Sequence, residues 1–216
     1  MDPLHFTIAV APLAVYLLLV GLINLSRTPF VTTGARDTAA LGIALCGFAV
    51  IGPMELFHPE AAAGRFHGWV WVLLLIFYSL TISLMILLMR PRLVIYNTTL
   101  DQFIPVIRNL VSRLDKESRW AGDSVVLPNL GIQLSVEAFN PLRNVQLVAT
   151  GTRQSFEAWR ILENELVADL KQVRGTRSAY GFVLIAFSVL AGITMTVWMI
   201  SDPQSVLQAL HEMLRR

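Results

Sequence analysis

Of 216 residues, 55% are hydrophobic and only 15% are charged, whereas a water-soluble domain carries roughly a quarter charged residues. A formal net charge of +2 is too small for the basic footprint that nucleic-acid binding needs. The single cysteine, Cys46, excludes an intrachain disulfide.

The first apolar run covers residues 4–23. No Lys or Arg precedes it, so it reads as a retained transmembrane helix, not as a secretory leader. A short loop with Arg27 and Arg36 leads to the second run, residues 38–56. Ala39, Ala40, Gly42, Ala44, Gly47 and Ala49 make that run rich in small side chains. Small side chains let helices approach closely in lipid, which predicts a central second helix packed on the fourth. The next loop carries His58, Glu60, Arg65 and His67. The third run, residues 69–89, opens on Trp69 and Trp71, an interfacial signature. A fourth lies within residues 176–201. Each run has the roughly 20 residues that span a bilayer core, so four transmembrane helices are expected.

Residues 91–175 are different: polar, periodic and interrupted by turns. Leu93–Tyr96 reads as a strand. Asn97-Thr98-Thr99 then opens a helix, with Thr99 and Gln102 spaced as a capping box. Leu100, Phe103, Ile107, Leu110, Val111 and Leu114 recur on its inner face. Pro105 requires either a late start or an irregular first turn. Strands follow near Ser124–Leu127, at Ile132–Ala138 and at Val145–Thr150, the second of them cleanly alternating. Ser155 caps a second amphipathic helix carrying Trp159, Leu162, Leu166 and Leu170. The expected fold is an α-helical integral membrane protein with an inserted α/β two-layer sandwich, in the order β-α-β-β-β-α. A parallel, right-handed crossover is expected if the first two strands are adjacent. After the fourth span, residues 202–216 read as an amphipathic helix entered through Ser201-Asp202-Pro203. It is too short to cross and is expected along the outer membrane surface.

Short-loop cations mark the cytoplasmic side. Arg27, Arg36, Arg90, Arg92, Lys171, Arg174 and Arg177 all fall beside the first loop or the insert. The expected topology therefore has both termini outside and residues 91–175 in the cytoplasm of a multi-pass cell-membrane protein. Three short-range features bear on chemistry. His5, Glu55, His58 and His67 gather at the outer side as weak metal candidates, without the spacing of a compact ligand motif. The helix start at Tyr96–Thr99 offers free N–H groups to an anion, with Arg92 close in sequence but no glycine for close approach. The insert contains no histidine, which excludes nucleophile–base pairs built on imidazole there. No catalytic residue and no cofactor are expected. The leading expectation is a non-enzymatic scaffold or interaction protein in the lipid bilayer, binding another membrane or cytoplasmic protein or its own copy. A membrane redox or metal component using the outer His and Glu residues is one alternative. A small-molecule sensor coupling the cytoplasmic domain to the helices is another.

Overall fold

The computed structural model describes residues 2–57, 69–139, 144–152, 154–173 and 178–215. The chain divides into two compact units. One comprises Met1–Val20, Thr38–Leu88 and Val183–Arg216; the other comprises Gly21–Asp37 and Met89–Phe182.

The first unit is helical. It holds most of α1 (Pro3–Leu25) and α2 (Gly34–Phe57), all of α3 (Trp69–Leu88), most of α6 (Ala179–Ser201) and all of α7 (Pro203–Arg215). Among the described residues, three segments are long and apolar enough to cross a membrane: Pro3–Leu25, Gly34–Gly52 and Ala179–Ser201. Val72–Leu88 is a shorter apolar helix. Large exposed side chains such as Ile43, Phe77, Leu87, Phe187 and Leu190 line these helices, as a lipid-facing surface requires. The packing differs from the expected pairing of the second and fourth helices. A Cβ on Gly47 would lie 2.2 Å from the Ile8 carbonyl oxygen and 2.9 Å from Ala9 Cα. That glycine lets α2 rest directly on the α1 backbone, where Ala9 is buried. Gly42 faces Ile82 of α3 and accepts a 2.6 Å hydrogen bond from Tyr78 Oη. The fourth apolar helix, α6, meets α1 instead, with Ser188 Oγ donating to the Ala14 carbonyl at 2.6 Å.

The second unit is a six-stranded sheet in the order β1-β2-β6-β5-β4-β3. Its strands are β1 (Phe30–Thr33), β2 (Arg92–Tyr96), β3 (Arg119–Ala121), β4 (Ser124–Leu127), β5 (Ile132–Phe139) and β6 (Asn144–Ala149). Every neighbouring pair is antiparallel. The expected four strands are thus corrected to six. β1 comes from the loop between the first two apolar helices and pairs residue for residue with β2. β3 forms a hairpin with β4 around Gly122, whose φ of 61° suits a two-residue turn. The crossover is corrected too: α4 (Leu100–Leu114) carries the chain from β2 to the far edge of the sheet, not to an adjacent parallel strand.

One face of the sheet is apolar because inward positions stay in register: Val31, Ile95 and Val145 align across three strands, as do Val125, Leu134 and Ala149. Alternation along β5 holds from Ile132 to Val136 and lapses at Ala138, which is exposed. α4 and α5 (Phe156–Leu170) supply Phe103, Ile107, Leu110, Trp159, Leu162 and Leu166 to the same core. Ser155 caps α5 as expected, accepting from the Ala158 N–H. Pro105 sits inside α4 on its exposed side, where solvent can reach the Asp101 carbonyl that a proline leaves without an N–H partner.

Candidate functional site

Of the four metal candidates in the sequence, only His5 has a described side chain. His58 and His67 lie outside the described residues. Glu55 belongs to α2, but its side chain is outside the described atoms. His5 Nδ1 stands 3.8 Å from the Asp2 carboxylate. Among the described residues, no group of three or more His, Cys, Asp or Glu side chains could hold a metal ion.

The strand-to-helix junction at Tyr96–Thr99 is built for another purpose than anion capture. Asn97 is fully buried and has φ 59°, the left-handed region that Asn tolerates better than most residues. That conformation lets its side chain donate from Nδ2 to the Ser26 carbonyl at 2.6 Å, just past the end of α1. Next to it, the Ser178 N–H donates to the Asn24 carbonyl at 3.2 Å. The Asn24 carbonyl in the last turn of α1 and the Ser26 carbonyl just past it, which lack partners within the helix, are therefore satisfied by Ser178, the residue before α6, and by Asn97, the residue after β2. The capping box is not formed: Thr99 is the N-cap of α4 but makes no side-chain cap bond. Asn97 Oδ1, Thr98 Oγ1 and Gln102 Oε1 are buried acceptors without a hydrogen-bond partner. The two amide oxygens among them carry partial negative charge, which repels an anion. Arg92 lies at the opposite end of β2, about 13 Å of strand away, and its side chain runs against Gly34, where an added Cβ would meet Arg92 Cγ, Nε and Cδ.

One charge-assisted hydrogen bond and one ion pair join the same segment to the rest of its unit. Tyr96 Oη donates to Asp37 Oδ1 at 2.5 Å, a short charge-assisted bond. Arg36 Nη1 lies 2.8 Å from Glu163 Oε1 of α5. Arg36 and Asp37 occupy the first turn of α2. Arg36, a charge marker in the sequence, is thus paired within the unit, and Gly21–Asp37 is part of that α/β unit. Sequence reading passed over this role because neither Arg36–Glu163 nor Asp37–Tyr96 has a local spacing.

Elsewhere in the unit, charges that look like a solvated helix face have partners. Arg108 stacks on Trp120, with Cζ 5.6 Å from the ring centroid. Arg113 reaches Asp169 at 2.9 Å and Glu165 at 3.5 Å. Asp115 ends α4 almost buried, at 2% exposure. Burial pushes its carboxyl group up, but bonds from the Glu117 N–H, the Asn129 N–H and amide and the Leu130 N–H outweigh it and hold the pKa below the ordinary carboxylate range. The turn at Asn129 is therefore a lock between α4 and the β4–β5 connection.

The first unit contains an apolar groove of about 460 Å³ between α2 and α3, lined by Leu41, Leu45, Phe48, Tyr78, Ile82 and Met85 among others. Its lining bears no ionisable group apart from the Tyr78 phenol, already bonded to Gly42. No family model, curated protein or solved structure matches this chain.

Proposed function

We propose that this chain is a four-pass membrane protein that holds a non-enzymatic α/β docking module on the cytoplasmic face, for a protein partner or a second copy of itself. The observation that carries the reading is the place of β1. It precedes α2, whereas its sheet partner β2 follows α3. Two paired strands lie on one side of a membrane. A chain that crosses in α2 must therefore cross back before Arg92, and α3, with 20 residues or roughly 30 Å of helix, is the apolar helix in that interval. The cations of the first loop and of the insert then mark that side as cytoplasmic.

The proposed module takes the end of α1, β1 and the start of α2 into one compact unit with the sheet. Its α5 offers Phe156, 77% exposed, and Ile161, 45% exposed, to the aqueous side. Buried aromatics are common anchors of protein interfaces. The test is purification of the full chain from its native membrane in mild detergent, with mass by light scattering. A stoichiometric companion or a dimer is expected, weakened by Phe156→Glu. A lone monomer, unchanged by the substitution, would overturn the proposal.

A further inference from the structure

Helix α7 carries a surface that the fold leaves uncovered. It starts one residue after α6: the Asp202 N–H donates to the Trp198 carbonyl, and the Asp202 carbonyl accepts from the Val206 N–H. Pro203 has no N–H to continue the ladder. Asp202 caps the new helix, its carboxylate accepting from the Ser205 N–H at 3.2 Å and the Ser205 hydroxyl at 2.5 Å. Three faces follow. Ala209 is 2% exposed, with Ser205 half-buried beside it, so this face packs within the helical unit to which α7 belongs. Gln204, Gln208 and His211 are exposed and form a polar face. Between them, Leu207 and Leu210 are 56% and 43% exposed.

We infer that α7 is an interfacial helix, clamped to the helical unit through Ala209 and dipping Leu207 and Leu210 into the lipid at the head-group boundary. The inference rests on the membrane-spanning reading of α6. A helix of 23 residues uses up the hydrocarbon thickness at about 1.5 Å per residue, so Ser201 ends at the interface. α7 begins two residues on, and its packed face prevents it from swinging out into water. Lipid is the only apolar medium at that level. The polar face then points to the head groups and solvent, the arrangement of amphipathic helices that lie in the membrane plane.

The experiment uses the full chain with Cys46→Ala, reconstituted into phosphatidylcholine vesicles. Single cysteines at Leu207, Leu210, Gln208 and Leu190 carry an environment-sensitive fluorophore. Lipids brominated near the head group or near the chain end serve as quenchers. Shallow quenching at Leu207 and Leu210 is expected to exceed that at Gln208 by roughly twofold or more, as for one buried and one wet helix face. Deep quenching is expected at Leu190, in the middle of α6. Deep quenching at Leu190 with equal, weak quenching at Leu207, Leu210 and Gln208 overturns the interfacial helix alone. Absence of quenching at Leu190 overturns the spanning reading of α6 and this inference with it.

Discussion

Asn97 and Asp115 show how a single buried polar residue can set the geometry of a junction. Asn97→Ala loses the bond to Ser26 and the short polar side chain that makes the left-handed region tolerable for Asn, for a combined cost of about 2–4 kcal/mol. Asn97→Gly loses only the bond and is expected to cost about 1–2 kcal/mol. Chemical unfolding of both variants separates the two contributions, and equal losses would show that the backbone conformation is not what selects Asn. Asp115 makes a pH prediction. Its folded-state pKa is depressed, so its stabilisation is complete above the unfolded value of about 3.9 and disappears as pH falls through the lower folded value. Asp115→Asn is expected to be less stable than the parent at neutral pH, with the difference shrinking below about pH 4. A difference that stays constant down to acid pH would mean that the carboxylate charge is irrelevant. In the sequence, Asn97 looks like part of a cap for the helix that follows. Its actual partner, Ser26, is 71 residues away, and no local pattern encodes that distance.

At the scale of elements, periodic segments were legible and short ones were not. The apolar runs, the two amphipathic helices and the alternating β5 declare themselves through repeated spacing. β1 has four residues and β3 three, too few for an alternation to stand out from a loop. The pairing of α2 was also hidden, because small residues show that a close approach occurs but not with which helix. Gly47→Leu is expected to prevent recovery of monodisperse protein, since the α1 backbone occupies the space a side chain needs. Ile43→Phe, on the 70% exposed side of the same helix, should leave it intact. Equal behaviour of the two would contradict the contact between α2 and α1. The strand β1 makes a second prediction. A fragment confined to residues 89–173 lacks β1, so β2 becomes a bare edge next to a hydrophobic core, a template for self-association. Such a fragment is expected to aggregate, and a peptide covering residues 26–37 should suppress this. A monomeric, cooperatively folding fragment would show that β1 is dispensable.

At the scale of the whole chain, the cation distribution and the strand pairing of β1 with β2 are independent routes to one sidedness. One comes from charge and the other from hydrogen bonding. Cysteine labelling with an impermeant reagent tests both. Thr28 and Gln133 are expected to react only from the cytoplasmic side, and Gln208 only from outside. Thr28 and Gln133 reacting from opposite sides would contradict the sheet itself. Both reacting from outside would contradict the reading of the cations alone. The sheet and the spans were foreseeable in outline, whereas the proposed docking role rests on the exposed side chains of α5, for which the sequence holds no motif.

The split origin of the sheet also imposes an order on biosynthesis. The chain emerges N-terminus first, so β1 is made before its partner β2, with α2 and α3 still to come. Along the proposed path, β1 waits unpaired on the cytoplasmic side while those two helices enter the bilayer. If either fails to insert, β2 emerges on the wrong side and the sheet stays open at its β2 edge. On that path, completion of the α/β unit would act as a proofreading step on membrane insertion, leaving misrouted chains with an unpaired strand edge open to aggregation and proteolysis.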